Sequence, residues 1–255
     1  MKIPLLLFIL FCSATQALAG TSLPDSLSVR SDETKIRPAG ILIPASLITV
    51  GAVGASNGWF VKHVDKKVKD QLDEWRGDSR CHFDDYLQYF PAVSHLGLSL
   101  LGVEAKHSYS ERIAVLATSY LTLGILVNGI KYTAKRARPD SYARNSFPSG
   151  HTATAFMGAE LVRIEYKNSS PWYGVGAYVI ATGVACMRLY NERHWTSDVL
   201  AGAGIGILSA RIGYWLLPFE KRLFHLKGKE ESIWVACPYY DTMQKSGGVA
   251  FSATF

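Results

Sequence analysis

Two histidines, one aspartate and a set of cations are spaced along this chain as a phosphoryl-transfer reaction would use them. His194 and Asp198 lie four residues apart, so on a helix they share a face. A carboxylate so placed can hold one imidazole nitrogen, fix the tautomer and leave the other nitrogen free to attack. Arg188 stands just upstream of this pair. Further back, Phe147-Pro148-Ser149-Gly150-His151 opens a helical pattern. Pro148 and Ser149 make an N-cap, and Gly150 permits close backbone approach. The free N–H groups and the dipole of the new helix favour an anion there. His151 in that place can give a proton to a leaving oxygen. Capping explains the serine and proline but not the histidine. A third cluster runs from Lys131 to Pro139, and five cations lie between Lys131 and Arg144: Lys131, Lys135, Arg136, Arg138 and Arg144.

Each cluster has an ordinary reading when taken alone. A basic run at a helix end is usually solvated or a topology signal. A lone His-x-x-x-Asp is a surface pair worth about 0.2–0.5 kcal/mol. Together they supply what phosphoryl transfer needs: cations for the equatorial oxygens, an in-line nucleophile and an acid for the leaving oxygen. The sequence has no carboxylate cage for a hard cation, so neither a metal nor another cofactor is expected.

The elements that must position these residues are helical. The 255 residues are 48% apolar and 19% charged with a net charge of +6, which excludes disorder, collagen-like repeats and a coiled-coil rod and suits an anionic partner. Lys2, an apolar run from Pro4 to Phe11 and Ala17-Leu18-Ala19 form an export signal with Gly20 as the first mature residue. Phe11 before Cys12 is too large for a lipoprotein site. Cys81, Cys186 and Cys237 are then left, an odd and scattered set that is neither a disulfide framework nor a zinc site, although one bridge is possible. Cys186 lies in an apolar run and is expected to be packed.

Residues 21–38 are a polar lead-in. Residues 39–56 are apolar and near the lower length limit for a span. Phe60, Val64, Val68 and Leu72 make residues 57–75 an amphipathic helix, with Trp59 and Trp75 at its ends; it suits a bilayer surface or a protein core equally. Residues 86–103 carry no formal charge but are interrupted by Pro91, Ser94 and His95. Residues 113–130 are the best spanning candidate. Glu160 and Arg163 place the helix of residues 149–166 inside a bundle. Residues 172–187 are a further apolar run. In residues 194–217, Gly202, Gly204 and Gly206 allow close helix contact. The end, Val249 to Phe255, is a short strand or a frayed tail. The fold class is therefore all-α: a helical bundle of about six helices, membrane-embedded or membrane-associated. It divides into a signal (1–19), a lead-in with the apolar segment and amphipathic helix (20–84), a catalytic bundle (85–217) and a tail (218–255).

The order K-x6-R-P, P-S-G-H and R-x5-H-x3-D resembles the type 2 phosphatidic acid phosphatase superfamily, in its bacterial membrane-associated lipid phosphatase branch. That superfamily also holds bacterial acid phosphatases and vanadium haloperoxidases. Lys131, Arg138 and Pro139 fit the first motif, Pro148 to His151 the second, and Arg188, His194 and Asp198 the third. The family usually has serine where Met187 stands, which removes one polar contact. The resemblance implies that His194 attacks phosphorus to give phosphohistidine, Asp198 orients it, and His151 protonates the leaving alcohol and then activates water. It implies further that Lys131, Arg138 and Arg188 hold the phosphate, with hydrogen bonds from Ser149 and the Gly150 N–H. Lys135, Arg136 and Arg144 fall outside the motif and are assigned only to attracting an anionic head group or membrane. His63, His82, His95, His107 and His225 have no such context and are expected in ordinary packing or surface roles.

Basic residues at 163–167 and 221–229 lie at the helix ends away from the motifs, and the positive-inside rule makes those ends cytoplasmic. The active site is then expected to face the periplasm from the inner membrane, with residues 39–56 or 86–103 not spanning. The expected partners are a phosphorylated lipid and the membrane, with no nucleic acid. Candidate substrates are lipid A phosphate, undecaprenyl diphosphate, phosphatidylglycerol phosphate and phosphatidate, and an exported lipid A phosphatase suits the signal and the site's orientation. The alternatives are a soluble periplasmic broad-specificity acid phosphatase, a vanadate-dependent haloperoxidase and a non-catalytic lipid-binding protein.

Overall fold

The computed structural model describes residues 38–77, 79–226, 228, 233–241 and 246–254; the expected export signal and nearly all of the polar lead-in lie outside them. Helix α1 (Pro38–Ser56) ends at Asn57, whose side-chain oxygen accepts from the N–H groups of Trp59 and Phe60. That cap starts a new helical direction, and Gly40–Ser56 and Gly58–Arg76 meet at an angle of 83°. The second limb is a short turn, α2 (Gly58–Phe60), a π-helical stretch (Val61–Asp65) and α3 (Lys66–Arg76). Two short helices follow, α4 (Asp84–Leu87) and α5 (Phe90–Leu100). Four long ones then form the bundle: α6 (Tyr109–Ala134), α7 (Gly150–Tyr166), α8 (Pro171–Tyr190) and α9 (Thr196–Phe224). The chain closes with an antiparallel hairpin of β1 (Ile233–Asp241) and β2 (Ser246–Thr254), so the strand reading of the tail is the one adopted.

The caps follow from the sequence. Ser108 and Glu111 form a capping box on α6, Ser149 caps α7, and Ser170 with Pro171 opens α8. Helix α7 occupies the centre. Phe156 and Val162 pack with Tyr178 and Val184 of α8, while Met157 and Leu161 pack with Val115 and Leu123 of α6 and Ile205 of α9. The acid and base on this apolar helix are explained by one internal network. Glu160 is fully buried and accepts from Arg163, Arg211 and the Tyr178 hydroxyl, each at 2.7 Å. Buried charges require such pairing, and α7 lies inside the bundle as expected.

Small residues set the spacing. A side chain on Gly202 would stand 2.5 Å from the Ser149 carbonyl oxygen, and one on Gly204 2.6 Å from that of Pro44. Helix α9 therefore touches both α7 and α1 almost backbone to backbone. Helices α6 and α9 are long and apolar enough to cross a membrane, and the bent pair of α1 with the limb Gly58–Arg76 would make a third span.

Four expectations change. The limb over residues 57–75 is not a uniform amphipathic helix; it contains a π-helical turn that carries Asp65, buried at 1% exposure, against the protein. Cys186 is exposed, because it falls on the outer face of α8. Helix α9 continues through Pro218 to Phe224, so the bundle runs past residue 217. The apolar stretch 86–103 breaks just before Pro91 into α4 and α5 as expected, but Ser94 and His95, also expected to interrupt it, lie inside α5.

Candidate active site

Alternating helix direction brings the three motifs to one end of the bundle. Lys131 is in the last turn of α6, His151 in the first turn of α7, Arg188 in the last turn of α8, and His194 just before α9. The second and third motifs are joined directly: the Ser149 N–H donates to the Asp198 carbonyl at 3.0 Å.

His194 is 3% exposed, and its Nδ1 lies 3.6 Å from Asp198 Oδ2, just beyond hydrogen-bond length. Burial holds the His194 imidazole down at about 4, the nearby Asp198 opposing this and the cations Arg188 and Lys131 adding to it. Asp198 is fixed on every side. Oδ2 accepts from the Trp195 N–H at 3.0 Å, which caps α9, and from the Ser146 hydroxyl. Oδ1 accepts from Arg136 Nη1 at 2.7 Å.

The cations divide by role. Arg138 donates to the Asn145 side-chain oxygen at 2.7 Å, and Lys131 donates to the Asn145 carbonyl, so one residue orients both. Arg188 is buried and donates to Asp84 at 2.7 Å. Asp85 Oδ1 lies 3.4 Å from Arg188 Nη1 and 2.9 Å from His151 Nε2. Ser149 is wholly buried and its hydroxyl engages Thr152, so it serves the helix cap; Gly150 is the first helical residue beside it. Met187 sits one residue before Arg188, and its carbonyl accepts from the Asn191 N–H at 2.9 Å. Every predicted site residue thus stands at this end of the bundle.

Five further residues belong to the same cluster. Ser146 and Arg136 hold Asp198, Asp65 holds Arg136, and Asp84 and Asp85 hold Arg188 and His151. Arg136 is the clear correction: grouped by sequence with Lys135 and Arg144 as a membrane-attracting cation, it is part-buried and committed to two carboxylates, while the other two are exposed. The reason is local. Lys135 takes a left-handed conformation (φ 44°) that ends α6 and turns the chain back, so Arg136 points inward. For Asp65 a signal was present: it is three residues before Val68 and seven before Leu72, an acid on the inward face. Asp84 and Asp85 offered none, since only the fold brings them to the motifs.

A helical bundle with these motifs gathered at one end defines a class. The sequence profile of the PAP2 superfamily matches residues 112–222, the stretch that carries all three motifs. Among relatives, the lipid A 1-phosphatase of Porphyromonas gingivalis is 35% identical over 189 residues, covering 74% of this chain and 40% of that protein. The bacitracin transport permease protein BcrC of Bacillus licheniformis is 36% identical over 74 residues, covering 29% of this chain and 34% of that protein. The chain thus spans well under half the length of these two relatives. Among solved structures, LpxE of Aquifex aeolicus aligns at a TM-score of 0.43 and 21% identity, covering 56% of this chain and 92% of that one.

Proposed function

We propose that this chain is a membrane phosphatase that hydrolyses a lipid phosphate through a phosphohistidine, without a metal. The observation that carries the reading is the meeting of His194, backed by Asp198, with His151 and three cations at one end of the bundle. In the first step a His194 nitrogen bonds to phosphorus as the P–O ester bond breaks, and His151 gives its proton to the departing alkoxide. In the second step His151 takes a proton from water, the water oxygen bonds to phosphorus and the P–N bond breaks. Lys131, Arg138 and Arg188 neutralise the phosphate oxygens throughout. Asp198 supports the charge that develops on the imidazole.

A lipid A phosphate is the favoured substrate: the match to a lipid A 1-phosphatase and the apolar helices beside the cationic end both support it. Orientation toward the periplasm is supported by the basic residues at the opposite helix ends, and the shortness of α5 supports residues 86–103 as the segment that does not cross. Labelling of a cysteine placed at residue 145 from the cytoplasmic side would overturn that orientation.

The test is phosphate release by the purified protein in detergent with EDTA, on lipid A, undecaprenyl diphosphate, phosphatidate and a soluble aryl phosphate. Release from lipid A with EDTA present is expected. Release from the aryl phosphate alone would favour the broad-specificity acid phosphatase instead.

Two predictions follow from the geometry. A nucleophilic imidazole must be neutral, and with His194 held at about 4 it is neutral at every pH above that value. The acid limb of kcat/KM, which reports the free enzyme, should therefore lie well below the ordinary histidine value of about 6.5. An acid limb at the ordinary value would contradict a desolvated nucleophile. The second concerns Asp85, whose one oxygen contacts both His151 and Arg188, the groups assigned to the substrate's phosphate. It competes with that phosphate, and Asp85 itself is half-exposed, so the contact is worth about 0.2–1 kcal/mol. Asp85→Asn should lower KM by about two- to fivefold, and a raised KM would refute the competition.

A further inference from the structure

Asp65 lies on the limb that precedes the family-matched residues, yet it is the most thoroughly bonded carboxylate beside the site. Oδ1 accepts from the Ser197 N–H at 3.0 Å, and Oδ2 accepts from the Ser197 hydroxyl and Arg136 Nη2, each at 2.7 Å. It thus sits on the first turn of α9, where free N–H groups and the helix dipole favour an anion. Arg136 divides its fork: Nη2 goes to Asp65, while Nη1 goes to Asp198 at 2.7 Å and to the Ser197 hydroxyl at 2.6 Å. Both carboxylate side chains are completely buried. The remainder of the limb is tied to the nucleophile's loop, with Lys69 and Arg76 at 2.8 and 2.9 Å from Glu192.

The charges explain why two carboxylates are present. Arg136 with Asp198 alone would be a neutral pair, and the guanidinium would cancel most of the field Asp198 exerts on His194. Asp65 takes half of the guanidinium, so the trio keeps one negative charge next to the imidazole. That charge is needed as His194 becomes cationic on bonding to phosphorus.

We propose that Asp65 is a positioning residue of the active site, acting through Arg136 to set how strongly Asp198 supports His194. The limb Gly58–Arg76 is then part of the catalytic apparatus. This rests on the phosphohistidine reading for its effect on rate, but its effect on the His194 imidazole does not require turnover.

The experiment compares wild type, Asp65→Asn, Arg136→Gln and the double variant by two readouts: kcat and KM on lipid A, and NMR titration of the His194 imidazole in the unliganded protein. The other charges around His194 are unchanged in all four: Arg188 and Lys131 opposite it, Lys69 lining the same small cavity as Asp65, and His151 and Asp85 across Arg188. Asp65→Asn removes a negative charge and should move the His194 titration to lower pH. Arg136→Gln removes a positive charge and should move it to higher pH. The double variant keeps the trio's net charge and should return the titration near wild type. Asp65→Asn should also lower kcat by about tenfold with KM little changed. Shifts in the same direction, or no shift, would overturn the assignment, because a purely structural role has no sign. A double variant that fails to fold, or whose titration stays where a single one put it, would also overturn it. Opposed titration shifts with no turnover of lipid A or of any other phosphate substrate tested would leave the relay standing and remove the phosphatase reading.

Discussion

His194→Ala should reduce phosphate release by about 10⁴-fold or more, the scale on which loss of a covalent nucleophile is felt. No neighbouring side chain can replace it. Asp198 is occupied by Trp195, Ser146 and Arg136, and His151 lies across Arg188 with its Nε2 on Asp85. The fold should survive, because His194 Nδ1 makes no hydrogen bond that the alanine would break. The measurement is single-turnover phosphate release with melting temperature as the control. Alkaline denaturing quench of the wild type with a radiolabelled phosphate ester should also trap an acid-labile, base-stable protein adduct that the variant lacks. Release within tenfold of wild type would remove His194 from the nucleophile's role.

Gly202→Val should cost at least about 10²-fold in kcat/KM although the residue touches no reacting group. A Cβ there would stand 2.5 Å from the Ser149 carbonyl oxygen and 3.3 Å from the Ser149 Cβ. Neither can swing aside, since Ser149 is fully buried and its N–H is bonded to the Asp198 carbonyl at 3.0 Å. Helices α7 and α9 must separate at the point where they carry His151 and Asp198. Displacement of reacting groups by about 1 Å is enough for a loss of this size. Gly183→Ala is the control: a side chain there meets nothing within 4 Å, and activity should stay within about twofold of wild type. Helical content by circular dichroism should be unchanged in both, and a Gly202→Val protein with wild-type turnover would refute the argument.

These two residues mark what could be read in the sequence and what could not. His194, Asp198, His151 and the cations Lys131, Arg138 and Arg188 were legible because their spacing repeats a chemical pattern. Glu160 and Arg163 correctly placed α7 in the interior, since charges on an apolar helix need partners. Gly202 was legible as a close-packing residue but not as the neighbour of Ser149, because spacing along a helix gives a face and not the facing atom. Arg136 was misassigned because the reversal at Lys135 is a left-handed turn at a non-glycine residue, which composition does not signal. The inward face of Asp65 is legible in the sequence but its pairing across the bundle with Arg136 and Ser197 is not, and Asp84 and Asp85 depend on pairings across more than a hundred residues with Asn191 and Arg188. Local pattern contains no information at that range.

The site's position at one end of the bundle has a kinetic consequence. Helix α9 has 29 residues rising about 1.5 Å each, longer than the roughly 30 Å hydrocarbon layer, and Asp198 is in its first turn. On the proposed reading, chemistry would be set at head-group depth, where a lipid phosphate would arrive by lateral diffusion with its chains still solvated by neighbours. The governing concentration is then a mole fraction in a plane. Adding inert detergent at constant bulk substrate should slow the reaction in proportion to that dilution, whereas a water-borne ester would be consumed at an unchanged rate.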